Sequence, residues 1–207
     1  MVWFSAIIAA LTAYFLGNLN GAVCISALLN DDVRKHGSGN AGMTNFIRNY
    51  GSSRAILVFL IDTLKAALAC TAAGLILEPF GFGFYGKVLG GVMVMLGHDF
   101  PMLLGFKGGK GILTGWFIAF TIDWRVGVFI GIVFFTVYFL THYVSLASVL
   151  SAVAFAIGFG LFHFRDVAVM TGAMIMSLLT LFMHRENIVR LVRREEKKVH
   201  LFTSKKS

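Results

Sequence analysis

Long apolar runs alternate with short polar segments along almost the whole of this chain. The runs lie at Val2 to Leu29, about Ala55 to Leu77, Tyr85 to Leu104, Ile112 to Ile122, Val126 to Thr141, Leu146 to Phe162 and Val167 to Met183. A hydrocarbon core about 30 Å thick asks for roughly 20 helical residues, with about 17 tolerated. Ile112 to Ile122 is short by that measure, and Tyr85 to Leu104 is interrupted by His98, Asp99 and Pro101. Six crossings therefore compete with seven. Either way the pattern predicts an all-α integral membrane protein. The first run exceeds a signal-peptide core and has no positive residue before it, so it reads as a retained span.

The cations decide between the two counts. With seven crossings and an extracytoplasmic N-terminus, the inside segments receive Arg34, Lys35, Arg48, Arg54, Lys107, Lys110, Arg185, Arg190, Arg193, Arg194, Lys197, Lys198, Lys205 and Lys206. Only Lys87, Arg125 and Arg165 fall outside. The positive-inside rule favours that arrangement, and omitting the short run would put Lys107 to Lys110 and the basic C-terminus on opposite faces. The expectation is seven transmembrane helices, with the N-terminus extracytoplasmic and the C-terminus cytoplasmic. Residues 1–194 read as one membrane-embedded domain and 195–207 as a basic, charged tail.

Composition agrees: 57% of residues are hydrophobic and 14% charged, a balance foreign to soluble domains. The net charge of +8 arises from cations beside apolar spans, where anionic membrane lipid is the natural counterpart, so a nucleic-acid partner is excluded. Cys24 and Cys70 both lie inside apolar runs, which argues against a disulfide or a metal cluster.

Chemistry gathers in the inside segments. The first is Gly37-Ser38-Gly39-Asn40-Ala41-Gly42-Met43-Thr44-Asn45-Phe46-Ile47-Arg48. Its glycines let backbone N–H groups turn toward one point, Ser38, Asn40, Thr44 and Asn45 add neutral donors, and Arg48 adds a planar cation, a set suited to an oxyanion. A tight turn with a snorkelling arginine is the plainer reading. The second runs from Gly97-His98-Asp99-Phe100-Pro101 to Gly105-Phe106-Lys107-Gly108-Gly109-Lys110-Gly111. Lys107 and Lys110 flank Gly108 and Gly109 and can share one phosphate. It is not a Walker A loop, because Leu104 replaces that motif's first Gly and Gly111 its Ser or Thr. The third is His184 to Leu191, where His184 and Asn187, three apart, share a helical face. Asp62 and Lys65 form an intramembrane pair that reads equally as a structural ion pair or a site wall, and Ser145 with Ser148 stands at the start of a span on the same face.

Together these segments resemble the acyl-phosphate-dependent glycerol-3-phosphate acyltransferases of bacterial membranes, the PlsY family. Its three signatures look like Gly37 to Arg48, Gly97 to Gly111 and His184 to Leu191, in order and at similar spacing, and Asp62-x-x-Lys65 and Tyr143-Val144-Ser145-Leu146 are similar to further family segments. The resemblance implies an enzyme of the bacterial inner membrane, with its site facing the cytoplasm. It moves an acyl group from acyl phosphate to the 1-hydroxyl of sn-glycerol 3-phosphate, giving lysophosphatidic acid and phosphate in the first step of phospholipid synthesis. Carried over by position, Ser38, Arg48, Lys110, His184 and Asn187 match residues used for substrate phosphates and catalysis. Gly37, Gly39, Asn40, Thr44, Asn45, His98, Lys107, Gly108, Gly109, Ser145, Asp62 and Lys65 are candidates for substrate binding. No cofactor or metal is implied, and functional coupling to the enzyme that makes acyl phosphate is. Leu113, Ala66 and Arg194 depart from the pattern, Arg194 standing where Gly is usual.

Acyl phosphate arrives activated, so no covalent acyl-enzyme is needed, and no Ser-His-Asp or Cys-His arrangement is evident. No histidine is followed by Asp at the fifth position, which removes the other common glycerophosphate acyltransferase chemistry. Lys110 and Arg48 are expected to bind phosphates while His184 and Asn187 position or deprotonate the attacking hydroxyl, unless the substrate phosphate is itself the base. An organophosphate transporter is the rival reading, since broken helices and intramembrane charge also occur in carriers. A non-catalytic lipid-binding subunit is a third.

Overall fold

The computed structural model describes residues 1–199, so Lys205 and Lys206 of the basic tail lie outside the described residues. Ten α-helices follow one another: α1 Val2–Gly17, α2 Gly21–Leu28, α3 Met43–Tyr50, α4 Ser52–Leu77, α5 Gly83–Asp99, α6 Ile112–Ile122, α7 Trp124–Thr141, α8 Val144–His163, α9 Val167–Met183 and α10 Arg185–Val192. No strand occurs among the described residues. Four helices are long and apolar enough to cross a membrane, or six spans if the bent pairs α1–α2 and α9–α10 each count as one, and α6 is a shorter apolar helix.

The packing is that of a protein solvated by lipid. On α4, Leu57, Leu60, Leu64 and Leu68 are exposed, while Asp62, Lys65, Ala66, Ala69 and Ala73 on the opposite side are buried. Apolar bulk faces outward, and small or polar residues face the neighbouring helices, where they allow close approach. Gly97 shows why: a Cβ there would collide with the Tyr14 carbonyl oxygen and lie 3.0 Å from the Gly17 Cα, so α1 and α5 cross backbone to backbone. Met95, Ile118, Val126, Phe155, Phe159 and Met176 fill the centre of the bundle.

The first apolar run is not one continuous helix. It breaks after Gly17 with a bend of 43°, and Asn20 caps the second piece by accepting from Val23 N–H at 3.0 Å. The reason lies on α4. The break frees the Leu19 carbonyl, which accepts from Lys65 Nζ at 2.6 Å, and the Gly21 N–H, which donates to Asp62 Oδ1 at 3.1 Å. Irregular backbone at membrane depth thus supplies the polar partners that a buried ion pair cannot draw from lipid. Asp62 and Lys65 are joined at 2.7 Å and almost fully buried.

α6 joins the same two layers as its longer neighbours despite a length of about 16 Å. It begins at Gly111–Ile112, and at its far end Asp123 bonds His163 at the end of α8 at 2.8 Å. Arg125, and after it His163, hold the Asp123 carboxyl well below the usual carboxylate range. In the segment between α5 and α6, Met102 to Lys107 is largely exposed, while Gly108, Gly109 and Gly111 are buried.

Candidate active site

Every second connection of the bundle meets at one cavity. The segment before α4, the segment between α5 and α6, the start of α8 and the segment after α9 all line it, as helices alternating in direction require. Its volume is about 110 Å³, and its mouth is open to solvent. Asp62 on its wall is ten residues into α4, so it reaches about 15 Å below the start of that helix.

The loop ahead of α3 is organised around Asn45. Its amide nitrogen approaches the carbonyls of Val33, His36 and Asn40 at 3.0 Å each, and its Oδ1 accepts from Ser38 N–H at 3.0 Å. Gly37, at φ 58°, sits where a Cβ would strike that same Oδ1. Asp31 pins the outer edge by accepting from Tyr50 at 2.8 Å and pairing with His36 at 2.9 Å, contacts that lower its carboxyl to about 2. The α5–α6 loop is folded as tightly: Gly108 N–H donates to Asp99 and Gly109 N–H to His98, both at their carbonyls. The N–H groups of Ser38, Gly39, Gly108 and Gly109 are therefore engaged inside their own loops. In this structure the glycines shape the walls, and none of Gly37, Gly39, Gly108 and Gly109 lines the cavity.

Free N–H groups come from elsewhere. α3, α6, α8 and α10 all begin at the cavity: Met43 and Thr44, Ile112 and Leu113, Val144 and Ser145, and His184 with Asn187 line it. None of these four N-termini has a side-chain cap. Each presents unsatisfied donors and the positive end of a helix dipole to the same space, where an anion is the natural partner.

Three cations add to that field. Arg48 on α3, Lys110 beside α6 and Arg190 on α10 line the cavity. Lys110 donates to Asn187 Oδ1, and Asn187 donates in turn to Glu196 Oε1 at 3.2 Å, while Glu196 takes Arg190 Nε at 2.7 Å. Burial, and after it the repulsion of Arg190, push the Lys110 ammonium below the ordinary lysine range. An incoming dianion reverses both effects. His184 stands at the 58° bend between α9 and α10, with Nδ1 2.9 Å from the Thr180 carbonyl. A carbonyl only accepts, so Nδ1 carries the proton and Nε2 keeps its lone pair.

Of the residues singled out in the sequence, Ser38, Asn40, Thr44, Asn45, Arg48, Asp62, His98, Lys110, Ser145, His184 and Asn187 line the cavity. Lys65 lies behind Asp62 and His98, and Lys107 is exposed outside. The sequence reading passed over Arg190 and Glu196. Arg190 was within reach, being three residues beyond Asn187 and so on the same helical face. Glu196 carried no such signal, because it lies beyond α10 in what reads as tail.

The glycerol-3-phosphate acyltransferase family model matches residues 7–194. The chain is 36% identical over 198 residues to the glycerol-3-phosphate acyltransferase of Alkaliphilus metalliredigens, covering 94% of this chain and 96% of that one. It is 36% identical over 198 residues to the enzyme of the same name from Finegoldia magna, covering 93% and 96%. Among solved structures it is similar to PlsY (YgiH), an integral membrane glycerol 3-phosphate acyltransferase. The glycerol 3-phosphate form superposes with a TM-score of 0.87 at 32% identity, covering 96% of this chain and all of the other. The lysophosphatidic acid form gives 0.82 at 32% identity, covering 95% and 96%.

Proposed function

The chain belongs to the glycerol-3-phosphate acyltransferase family, and from that premise we propose that it transfers an acyl group from acyl phosphate to the 1-hydroxyl of sn-glycerol 3-phosphate. Lysophosphatidic acid and inorganic phosphate leave. The observation that carries this reading is the convergence of four uncapped helix N-termini with Arg48, Lys110 and Arg190 on one cavity. So much positive potential suits two phosphates held side by side.

The donor follows from what a leaving group needs. A departing thiolate and a departing phosphate both gain charge, but only the phosphate has several oxygens that Lys110, Arg48 and the N-termini can hold at once. The hydroxyl oxygen attacks the acyl carbonyl carbon, an ester bond forms, and the anhydride C–O bond breaks with its electron pair going to phosphate. His184, with Nε2 unprotonated, is placed to take the hydroxyl proton, and Asn187 orients Lys110 beside it. Among the described residues no serine lining the cavity hydrogen-bonds to a histidine, which fits direct transfer without an acyl-enzyme. Ser38, Asn40, Thr44, His98 and Ser145 supply neutral donors, while Gly37, Gly39, Asn45, Gly108 and Gly109 shape the loops. Lys107, exposed near the mouth, attracts anionic substrate. Asp62 and Lys65 brace the wall.

The same reading makes the four long helices, the two bent pairs and the short α6 into seven crossings, N-terminus outside and C-terminus inside. The cavity then opens to the cytoplasm at the bacterial inner membrane, where the acyl chain stays in lipid. Residues 1–194 are read as the membrane domain and 195–207 as a basic tail, whose described start packs back on the bundle through Glu196 and Val199. Supply of a reactive, membrane-held donor favours coupling to the enzyme that makes it. The decisive assay offers acyl phosphate, acyl-CoA and acyl carrier protein separately to one purified detergent preparation with glycerol 3-phosphate. Lysophosphatidate is expected from acyl phosphate alone, and turnover only with the thioesters overturns the donor assignment.

A further inference from the structure

Behind the cavity floor, Asp62, Lys65 and His98 form a chain of buried groups. Lys65 Nζ has three partners: the Leu19 carbonyl at 2.6 Å, Asp62 Oδ1 at 2.7 Å and His98 Nδ1 at 2.7 Å. An ammonium has three protons and accepts none. The carbonyl and the carboxylate can only accept, so two protons go to them and the third falls to His98 Nδ1, which must accept it as well. Asp62 Oδ1 also accepts from the Gly21 N–H at 3.1 Å, as befits an ionised carboxylate at a helix start. A neutral Lys65 would reverse the bond to His98, yet it would leave the Asp62 charge uncompensated among groups 2 to 5% exposed. Charge balance and donor count agree.

We propose that Lys65 is a positioning residue that fixes His98 as its Nε2–H tautomer, so that His98 is a neutral hydrogen-bond donor to an anionic substrate oxygen at the cavity floor. His98 lines the cavity, and among the described residues its Nε2 has no hydrogen-bond partner. The ring is held from the other side by the Gly108–Gly109 backbone: a Cβ on Gly109 would lie 2.7 Å from His98 Cε1 and closer still to Nε2. The two cavity histidines then have opposite tautomers. His184, bonded through Nδ1–H to Thr180, offers a lone pair for the hydroxyl proton, and His98, bonded through Nδ1 to Lys65, offers a proton to a phosphate oxygen. Accepting and donating are thereby divided between two rings. The substrate chemistry rests on the acyl-transfer reading above, but the tautomer does not.

Nitrogen NMR on the full-length protein in detergent, with 15N-labelled histidines and His98 assigned through His98→Gln, tests this without any acyl donor. The expected spectrum at neutral pH has His98 Nδ1 in the unprotonated range and Nε2 in the protonated range. Nε2 is expected to move on titration with glycerol 3-phosphate. If inorganic phosphate moves it as well, the donor serves any phosphate; if only glycerol 3-phosphate does, it belongs to that substrate's subsite. Lys65→Arg should preserve the tautomer and Lys65→Met should lose it, with kcat/KM down about ten- to a hundredfold, the worth of one hydrogen bond to a charged group. Should Lys65→Met fail to fold, the wild-type spectrum still decides. A proton on Nδ1, or an Nε2 signal indifferent to both anions, overturns the proposal, and neither result depends on which acyl donor the enzyme uses.

Discussion

Methionine in place of Lys110 keeps much of the half-buried stem and deletes the ammonium. In the native chain that ammonium donates to Asn187 and shares the cavity with Arg48 and Arg190. In the proposed reaction it faces a phosphate whose negative charge grows as the anhydride bond opens. Donors aimed at developing charge in such sites contribute about 2.7–4 kcal/mol, or roughly 10²–10³ in rate. Loss of its repulsion with Arg190 and the orphaning of Asn187 Oδ1 are smaller and opposite in sign, so the net expectation for kcat/KM stays near a hundredfold loss or more. The assay is phosphate release from synthetic acyl phosphate, with folding checked by size exclusion. The pH profile sharpens it. Because burial, and then Arg190, lower the Lys110 pKa, the free enzyme loses this charge at a lower pH than an exposed lysine would. The alkaline limb of kcat/KM should therefore fall below the ordinary lysine range, while the limb of kcat lies higher, since bound phosphate favours the charged form. Turnover within about threefold of wild type in Lys110→Met, or an unmoved alkaline limb in that variant, would refute the reasoning.

Three further outcomes follow from particular contacts. Arg194 has φ 59°, a left-handed conformation that costs a non-glycine residue about 1–2 kcal/mol, so Arg194→Gly should raise stability by about 0.5–1 kcal/mol net of glycine's unfolded-state entropy, read as a higher thermal midpoint in detergent. Asp62→Leu should destabilise by about 3–5 kcal/mol because it strands Lys65, whereas the double variant Asp62→Leu, Lys65→Met should recover most of that loss; equal destabilisation in both would dismiss the ion-pair argument. Ser145→Asp places a carboxylate at the uncapped start of α8, inside the cation field, where it competes with substrate phosphate. KM for glycerol 3-phosphate should rise about tenfold or more, and an unchanged KM would mean that this N-terminus plays no part in anion binding.

Several features were legible in the sequence because lipid is a demanding solvent. The start and end of α9 match its apolar run residue for residue, and so do those of α6, since neither run holds a charged residue and Gly111, Asp123, Asp166 and His184 bound them. The break at Gly17–Asn20 was legible only in part. Gly17-Asn18-Leu19-Asn20-Gly21 is a local breaker and cap signal inside a run that is otherwise apolar, but its reason is an ion pair some forty residues away on α4 whose partners are backbone groups. Backbone leaves no trace in a list of side chains.

The same blindness explains what sequence reasoning misassigned in emphasis at the cavity. Glycine-rich loops invite the idea of N–H groups pointed at phosphate, yet Ser38, Gly39, Gly108 and Gly109 turn theirs inward. The glycines let two loops fold tightly enough to bring helix starts to one place, and those starts carry the free donors. At these four starts Gly42, Gly111, Tyr143 and His184 occupy N-cap positions where Ser, Asp or Asn would satisfy the first turn. Elsewhere in the chain Asn20, Asp123 and Asp166 do cap their helices, and none of the three faces the cavity. α1, α4 and α5 also start uncapped and away from the cavity, so what sets α3, α6, α8 and α10 apart is that their uncapped starts meet in one place, as expected if the substrate's phosphates cap them.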